Sequence, residues 1–227
     1  MATRYDTKTR VIAAGVLVAV LAVSYWAYGA YQRREAGKVA VTLAKDSGSR
    51  LRDAIGIQTA PPTTDRTQFL RKLEEHAGVT DANLQEFRRL GKAPQPLADA
   101  VDDYLLTTNE LLKRITESQR YRLLLSESSQ ALLDHMRRDN RTAGWIQDAV
   151  KAKERVNKDY RGYNLALSAL DKLLESLGAS QKNIALYADR GMLIEDDLIR
   201  QARARGQEDL RSAAAEFEKI NRIAAPK

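Results

Sequence analysis

Residues Val11 to Tyr31 read VIAAGVLVAVLAVSYWAYGAY, a run of 21 residues without a charge. At about 1.5 Å per residue a helix of that length spans roughly 30 Å, the thickness of a bilayer's hydrocarbon core. Arg4, Lys8 and Arg10 precede the run, and Arg33, Arg34 and Lys38 follow it. Tyr25, Trp26, Tyr28 and Tyr31 crowd its C-terminal end, where amphipathic rings suit the headgroup layer and form an interfacial belt. The expectation is a single transmembrane helix over Val11–Tyr31. A cleavable signal peptide is the competing reading, with an apolar region Val11 to Val23 and a small-residue site at Ala27-Tyr28-Gly29. It requires neither the full length nor the aromatic belt, so retention is favoured. A buried soluble helix would rarely be apolar on every face over this length.

The near flanks tie at three Lys or Arg each, so the positive-inside rule does not decide orientation. Lys45 and Arg50 tilt the count toward a cytoplasmic C-terminal side. A short tail before a first apolar helix tilts it the other way. The expected arrangement is a cytoplasmic N-terminus and a periplasmic or extracytoplasmic C-terminal domain.

The formal net charge is +7, and about +5 of it lies after residue 31. That mild excess can favour anionic lipid near the membrane. The densest basic stretch, Arg137 to Arg161, is interrupted by Asp139, Asp148, Glu154 and Asp159, so it reads as a solvated face and not a nucleic-acid stripe. No cysteine occurs, which removes disulfides, Cys-ligated zinc and thiol catalysis together.

The fold class expected is all-α: one N-terminal transmembrane helix, then an elongated antiparallel bundle with coiled-coil-like long helices. The division is 1–10 tail, 11–31 membrane helix, 32–60 membrane-proximal helix, 61–96 short helices and proline connectors, and 97–227 long-helix bundle. Within 32–60, Asp46-Ser47-Gly48-Ser49 is the weak point. Within 61–96, Gly78 closes a first short helix, and Thr80 caps a second with Val79 and Leu84 as its staple. No proline lies between Leu97 and Ala225, which permits long helices. Leu97 to Arg138 carries the seam Val101, Tyr104, Thr108, Leu111, Ile115, Ser118, Arg122, Leu125, Ser129, Leu132 and Met136 at alternating spacings of three and four. The next helix, Ala143 to Leu177, ends at Gly178, with Ser180 capping a last stretch over Gln181–Ile223. That stretch carries Ile184, Tyr187, Ile194, Leu198, Leu210, Ala213, Phe217 and Ile220 on its seam, and Asp189-Arg190-Gly191 is its breaking point.

Catalytic signatures are missing. His76 and His135 stand without a Glu three residues before, and there is no H-E-x-x-H, P-loop, G-x-G-x-x-G or G-x-S-x-G. Asp102-Asp103 and Glu195-Asp196-Asp197 point apart on a helix and do not converge on an ion. No metal, cofactor or enzymatic activity is expected. The polar seam positions Ser118 and Arg122, with Tyr160 and Tyr163 on the neighbouring helix, form a candidate anion or ligand pocket; the plainer reading is polar residues that fix helix register.

Together these features suggest a membrane-anchored, non-enzymatic bundle, the scaffold or accessory subunit of an envelope complex. Its partners would be the membrane and other proteins, including copies of itself, and not nucleic acid. One alternative is an extracytoplasmic four-helix-bundle ligand sensor. An N-terminal membrane helix followed by such a bundle resembles in architecture the sensing module of chemoreceptors, with no motif carrying the likeness. A sensor of this kind would signal through a partner. A second alternative is a cytoplasm-facing bundle that binds anionic membrane through Arg33, Arg34, Lys38 and Lys45.

Overall fold

A computed structural model describes residues 3–59, 66–91, 93–138, 142–187 and 192–223, with side chains from Val16 onward and without those of residues 66 and 223. The described residues form five α-helices and no strand: α1 Thr3–Thr59, α2 Arg66–Leu90, α3 Gln95–Arg137, α4 Ala143–Ile184 and α5 Asp196–Ile223. The protein is all-α and its helices pack as a bundle.

The heptad reading of α3 matches its burial. Every apolar seam residue from Val101 to Leu132 is buried, and so are Thr108, Ser118 and Ser129, while Arg122 and Met136 are half-buried. The polar seam positions therefore face the core. Pro94 stands at the N-terminal boundary of α3 with a second proline just inside it, where a missing N–H costs nothing. Thr142 caps α4, its hydroxyl accepting from the Trp145 N–H at 3.3 Å.

Cross-helix contacts fix the topology. Ser180 of α4 donates to Asp103 of α3 at 2.5 Å, and the α4 residue Trp145 donates through its indole N–H to the His135 carbonyl at 3.2 Å, so α3 and α4 run antiparallel. Arg88–Asp102 and Arg120–Glu74 make α2 antiparallel to α3. A side chain at Gly37 would touch Leu97 and Pro94, and one at Gly48 would meet Tyr104, so α1 runs parallel to α3 along its first half. Arg122 pairs with Asp209, which places α5 along the second half. Tyr104 and Arg122 are eighteen residues apart, five whole turns at 3.6 residues per turn, and so share one face of α3. α1 and α5 thus follow one another in the same lane of the bundle.

The segment joining α4 to α5 is pinned from three sides. Gln181 accepts from the Ile194 N–H and donates to its carbonyl, Arg52 donates to the Leu193 carbonyl at 2.6 Å, and the Tyr104 hydroxyl donates to the Met192 carbonyl at 3.4 Å.

Several expected breaks are absent. Residues 46–49 lie inside α1 without interruption, because Gly48 is where Tyr104 and the Met192 carbonyl press closest. A Cβ there would stand 2.5 Å from the Tyr104 hydroxyl and 2.9 Å from that carbonyl. The two short helices are one helix, α2. Gly78 is exposed with open space beside it, and its cost of about 1 kcal/mol is outweighed by burial of Leu73, Thr80, Leu84 and Phe87. Thr80 is therefore an interior residue and not a cap. α4 runs through Gly178 to Ile184, and Ser180 spends its hydroxyl on Asp103 and Thr107 instead of capping. The long last stretch is replaced by the end of α4, a turn, and α5. Tyr187 is 43% exposed, off the seam on which it was expected. The break at Asp189-Arg190-Gly191 lies outside the described residues.

Candidate functional site

Helix α1 has two different surfaces along its length. From Ala36 onward one face is buried against the bundle through Ala40, Ala44, Ser47, Leu51, Ala54, Ile55 and Gln58. From Val16 to Tyr31 no such face exists. Val16, Leu17, Val18, Val20, Leu21 and Val23 are all more than half exposed, Tyr25 is 83% exposed and Trp26 75%. This apolar stalk projects beyond the bundle with no protein packed on it. Over Val16–Tyr31 it spans about 24 Å at about 1.5 Å per residue, less than a hydrocarbon core. Among the described residues no helix is long and apolar enough to cross a membrane. The side chains of Val11 to Gly15, the first part of the apolar run, lie outside the described residues.

Below the stalk, α1 meets α2 through a polar cluster. Asp46 accepts from Arg50 at 2.9 Å and from Asn83 at 2.8 Å, and Asn83 also donates to Ser47 at 3.0 Å. Burial alone would raise the Asp46 carboxyl, but the bonds from Arg50 and Asn83 and the Arg50 charge outweigh it and hold the group below the usual carboxylate range. Arg50 Nη1 lies 3.4 Å from His76 Nδ1. Burial, reinforced by the Arg50 charge, lowers the His76 pKa, with Lys72 adding to the effect and Asp53 and Glu75 opposing it. His76 Nε2 is buried without a hydrogen-bond partner, as are the Thr80 hydroxyl and both amide atoms of Gln58. Tyr104 is fully buried, which pushes its phenol up to about 12. The bonds from Asn83 to Asp46 and Ser47 tie α2 to α1.

The four residues of the expected anion pocket are only partly brought together. Arg122 and Tyr163 line a cavity of about 240 Å3 with Ser126, Asp209, Ser212 and Glu216. Asp209 is buried, lies 3.5 Å from Arg122 and 3.3 Å from Arg205, and supplies the anion internally. The Ser118 hydroxyl turns back to the Ile115 carbonyl at 2.8 Å, and Tyr160 stacks on Phe217 with centroids 4.1 Å apart. These two serve packing.

The remaining sequence candidates are engaged in contacts within the fold. His135 stacks on Trp145 at 4.9 Å, and its ring Nε2 is 2.9 Å from the Trp145 carbonyl, which clasps the α3–α4 turn. Asp102 pairs with Arg88, Asp103 with Ser180, and Asp197 with Arg200. Among the described residues no group of His, Asp and Glu is arranged to hold a metal ion. Sequence reasoning missed the Asp46–Asn83–His76 cluster, whose members lie 26 to 37 positions from their partners and carry no common motif.

No family model matches the chain, and no curated protein or solved structure matches it.

Proposed function

We propose that this protein is a membrane-anchored, non-enzymatic helical bundle that serves as a scaffold or accessory subunit of an envelope protein complex. The observation that carries the reading is the division of α1: one continuous helix is exposed and apolar from Val16 to Tyr31 and buried in the bundle from Ala36 to Gln58. A bare apolar helix of that length in water exposes far more contiguous apolar surface than a soluble monomer usually tolerates. With Val11 to Gly15 added, the run reaches the length a bilayer requires. The expected orientation puts the N-terminus in the cytoplasm and the bundle outside.

Two measurements test the reading. The full chain is expected to stay with the membrane pellet after alkaline extraction, and a C-terminal topology reporter to be active only in the extracytoplasmic compartment. Crosslinking in intact membranes is expected to capture a protein neighbour. Release into the alkaline supernatant sinks the anchor, and a chain that crosslinks to nothing sinks the scaffold role. The sensor alternative is less favoured, because Arg122 already has Asp209 as its anion.

A further inference from the structure

The bundle end nearest the stalk carries an apolar turn of its own. Ala185, Leu186 and Tyr187 follow α4, with Leu186 78% and Tyr187 43% exposed. A single exposed leucine means little. Its height in the molecule is what matters.

That height follows from the helix pairing. Ser180 sits opposite Asp103 and Thr107, so Tyr187, two turns further along the antiparallel α4, stands level with the start of α3 near Pro96. The start of α3 in turn lies beside Gly37, whose Cβ position is 3.2 Å from Leu97 and 3.7 Å from Pro94. The turn is therefore level with Gly37 on α1. From Gly37 to Tyr31, the end of the aromatic belt, is six residues, or about 9 Å. A headgroup layer is roughly 5–8 Å deep on each side of the hydrocarbon. A stalk tilt of about 20°, common for membrane helices, would lower one edge of the bundle by the small remaining distance.

We propose that the Ala185–Leu186–Tyr187 turn, together with Arg33 and Arg34 of α1, docks on the headgroup layer of an anionic bilayer. The proposal rests on the anchor reading and adds a second point of attachment to it. The chemistry suits that layer: Tyr187 and Leu186 offer an amphipathic ring and an aliphatic group, while Arg33 and Arg34 are exposed at the same end. Glu35, the acid beside them, is neutralised by Lys38 at 2.7 Å. Lys182 is exposed one turn before Leu186 and adds a further cation. A two-point attachment would hold the bundle at a fixed tilt.

The chain has no cysteine, so single-cysteine variants label cleanly. Full-length Val20→Cys, Leu186→Cys and Leu165→Cys would carry a polarity-sensitive fluorophore in vesicles of phosphatidylcholine, with or without phosphatidylglycerol. Leu165 is exposed about 30 Å down α4 from the turn and serves as the aqueous reference. The Val20 probe is expected to emit blue-shifted and to be quenched by an acyl-chain nitroxide. The Leu186 probe is expected to shift less, to be quenched by a headgroup nitroxide, and to respond more strongly with phosphatidylglycerol present. A shifted Val20 probe beside a water-like Leu186 probe overturns the docking and leaves the anchor standing. Water-like emission from both overturns the two readings together. An equal Leu186 response in both lipids overturns the anionic preference.

Discussion

At the scale of single residues, Gly48 is a tight constraint, pressed by both a buried side chain and a backbone carbonyl. Alanine there would place a methyl group against the buried Tyr104 hydroxyl and the Met192 carbonyl, and forced overpacking costs roughly 1–3 kcal/mol. Gly48→Ala is expected to lower the unfolding free energy by that amount. Gly48→Ala combined with Tyr104→Phe is expected to recover part of the loss, because it removes the nearer of the two clashing atoms; denaturant titration of the single and double variants checks both. Asn83 is a second such residue, spanning Asp46 and Ser47 of α1. Asn83→Ala leaves the buried Ser47 hydroxyl and the half-exposed Asp46 carboxylate short of a donor and is expected to cost about 1 kcal/mol, measured in the same way.

At the scale of helices, the α1–α2 seam should respond to pH. His76 has its pKa lowered in the fold from the ordinary value of 6.5, so the folded protein prefers the neutral ring. The stability it contributes is complete above about pH 6.5 and declines as pH falls toward the lowered value. Asp46 acts in a separate window: its contribution is present above its ordinary 3.8 and is lost as pH falls through its own lowered value. His76→Gln is expected to flatten the stability profile just below neutrality and leave the steeper acid loss in place; thermal melts across about pH 3 to 8 would show an unchanged profile if His76 were not the group. The helices also show what could be read in advance. The α3 seam was legible from Val101 to Leu132 because a sustained three-four spacing is a long-range signal. The end of α4 and the unity of α2 were not. Gly78, Thr80, Gly178 and Ser180 each give a sound local stop signal, and tertiary burial on both sides outvotes it. The Arg122–Asp209 pair was half legible: the arginine's seam position was plain, but its partner lies 87 residues away on a helix whose register the sequence left open.

At the scale of the whole molecule, α3 is the common wall, touching α1, α2 and α4 along its first half. Hydrogen exchange is therefore expected to be slowest in α3 between Tyr104 and Ile115, where almost every inward side chain is fully buried. The last turns of α5, Phe217 to Arg222, are expected to exchange fastest among the packed helices, since Ile220 is the one fully buried residue there and Phe217 is only half-buried in its stack on Tyr160. Mass-spectrometric exchange on the full chain would reverse that order if α5 were part of the central stability unit.

The uninterrupted α1 carries a mechanical consequence. No proline falls between Val11 and Thr59, and no turn separates the apolar stalk from the packed half. A protein tethered by a flexible linker sweeps a hemisphere and meets partners at many heights. This one, if anchored as proposed, would behave as a rigid mast whose domain travels at one altitude and in a narrow range of attitudes. Encounters would then be selected by geometry before any side chain is read, and lengthening the stalk by a few residues would shift both the elevation and the facing of every surface on the bundle.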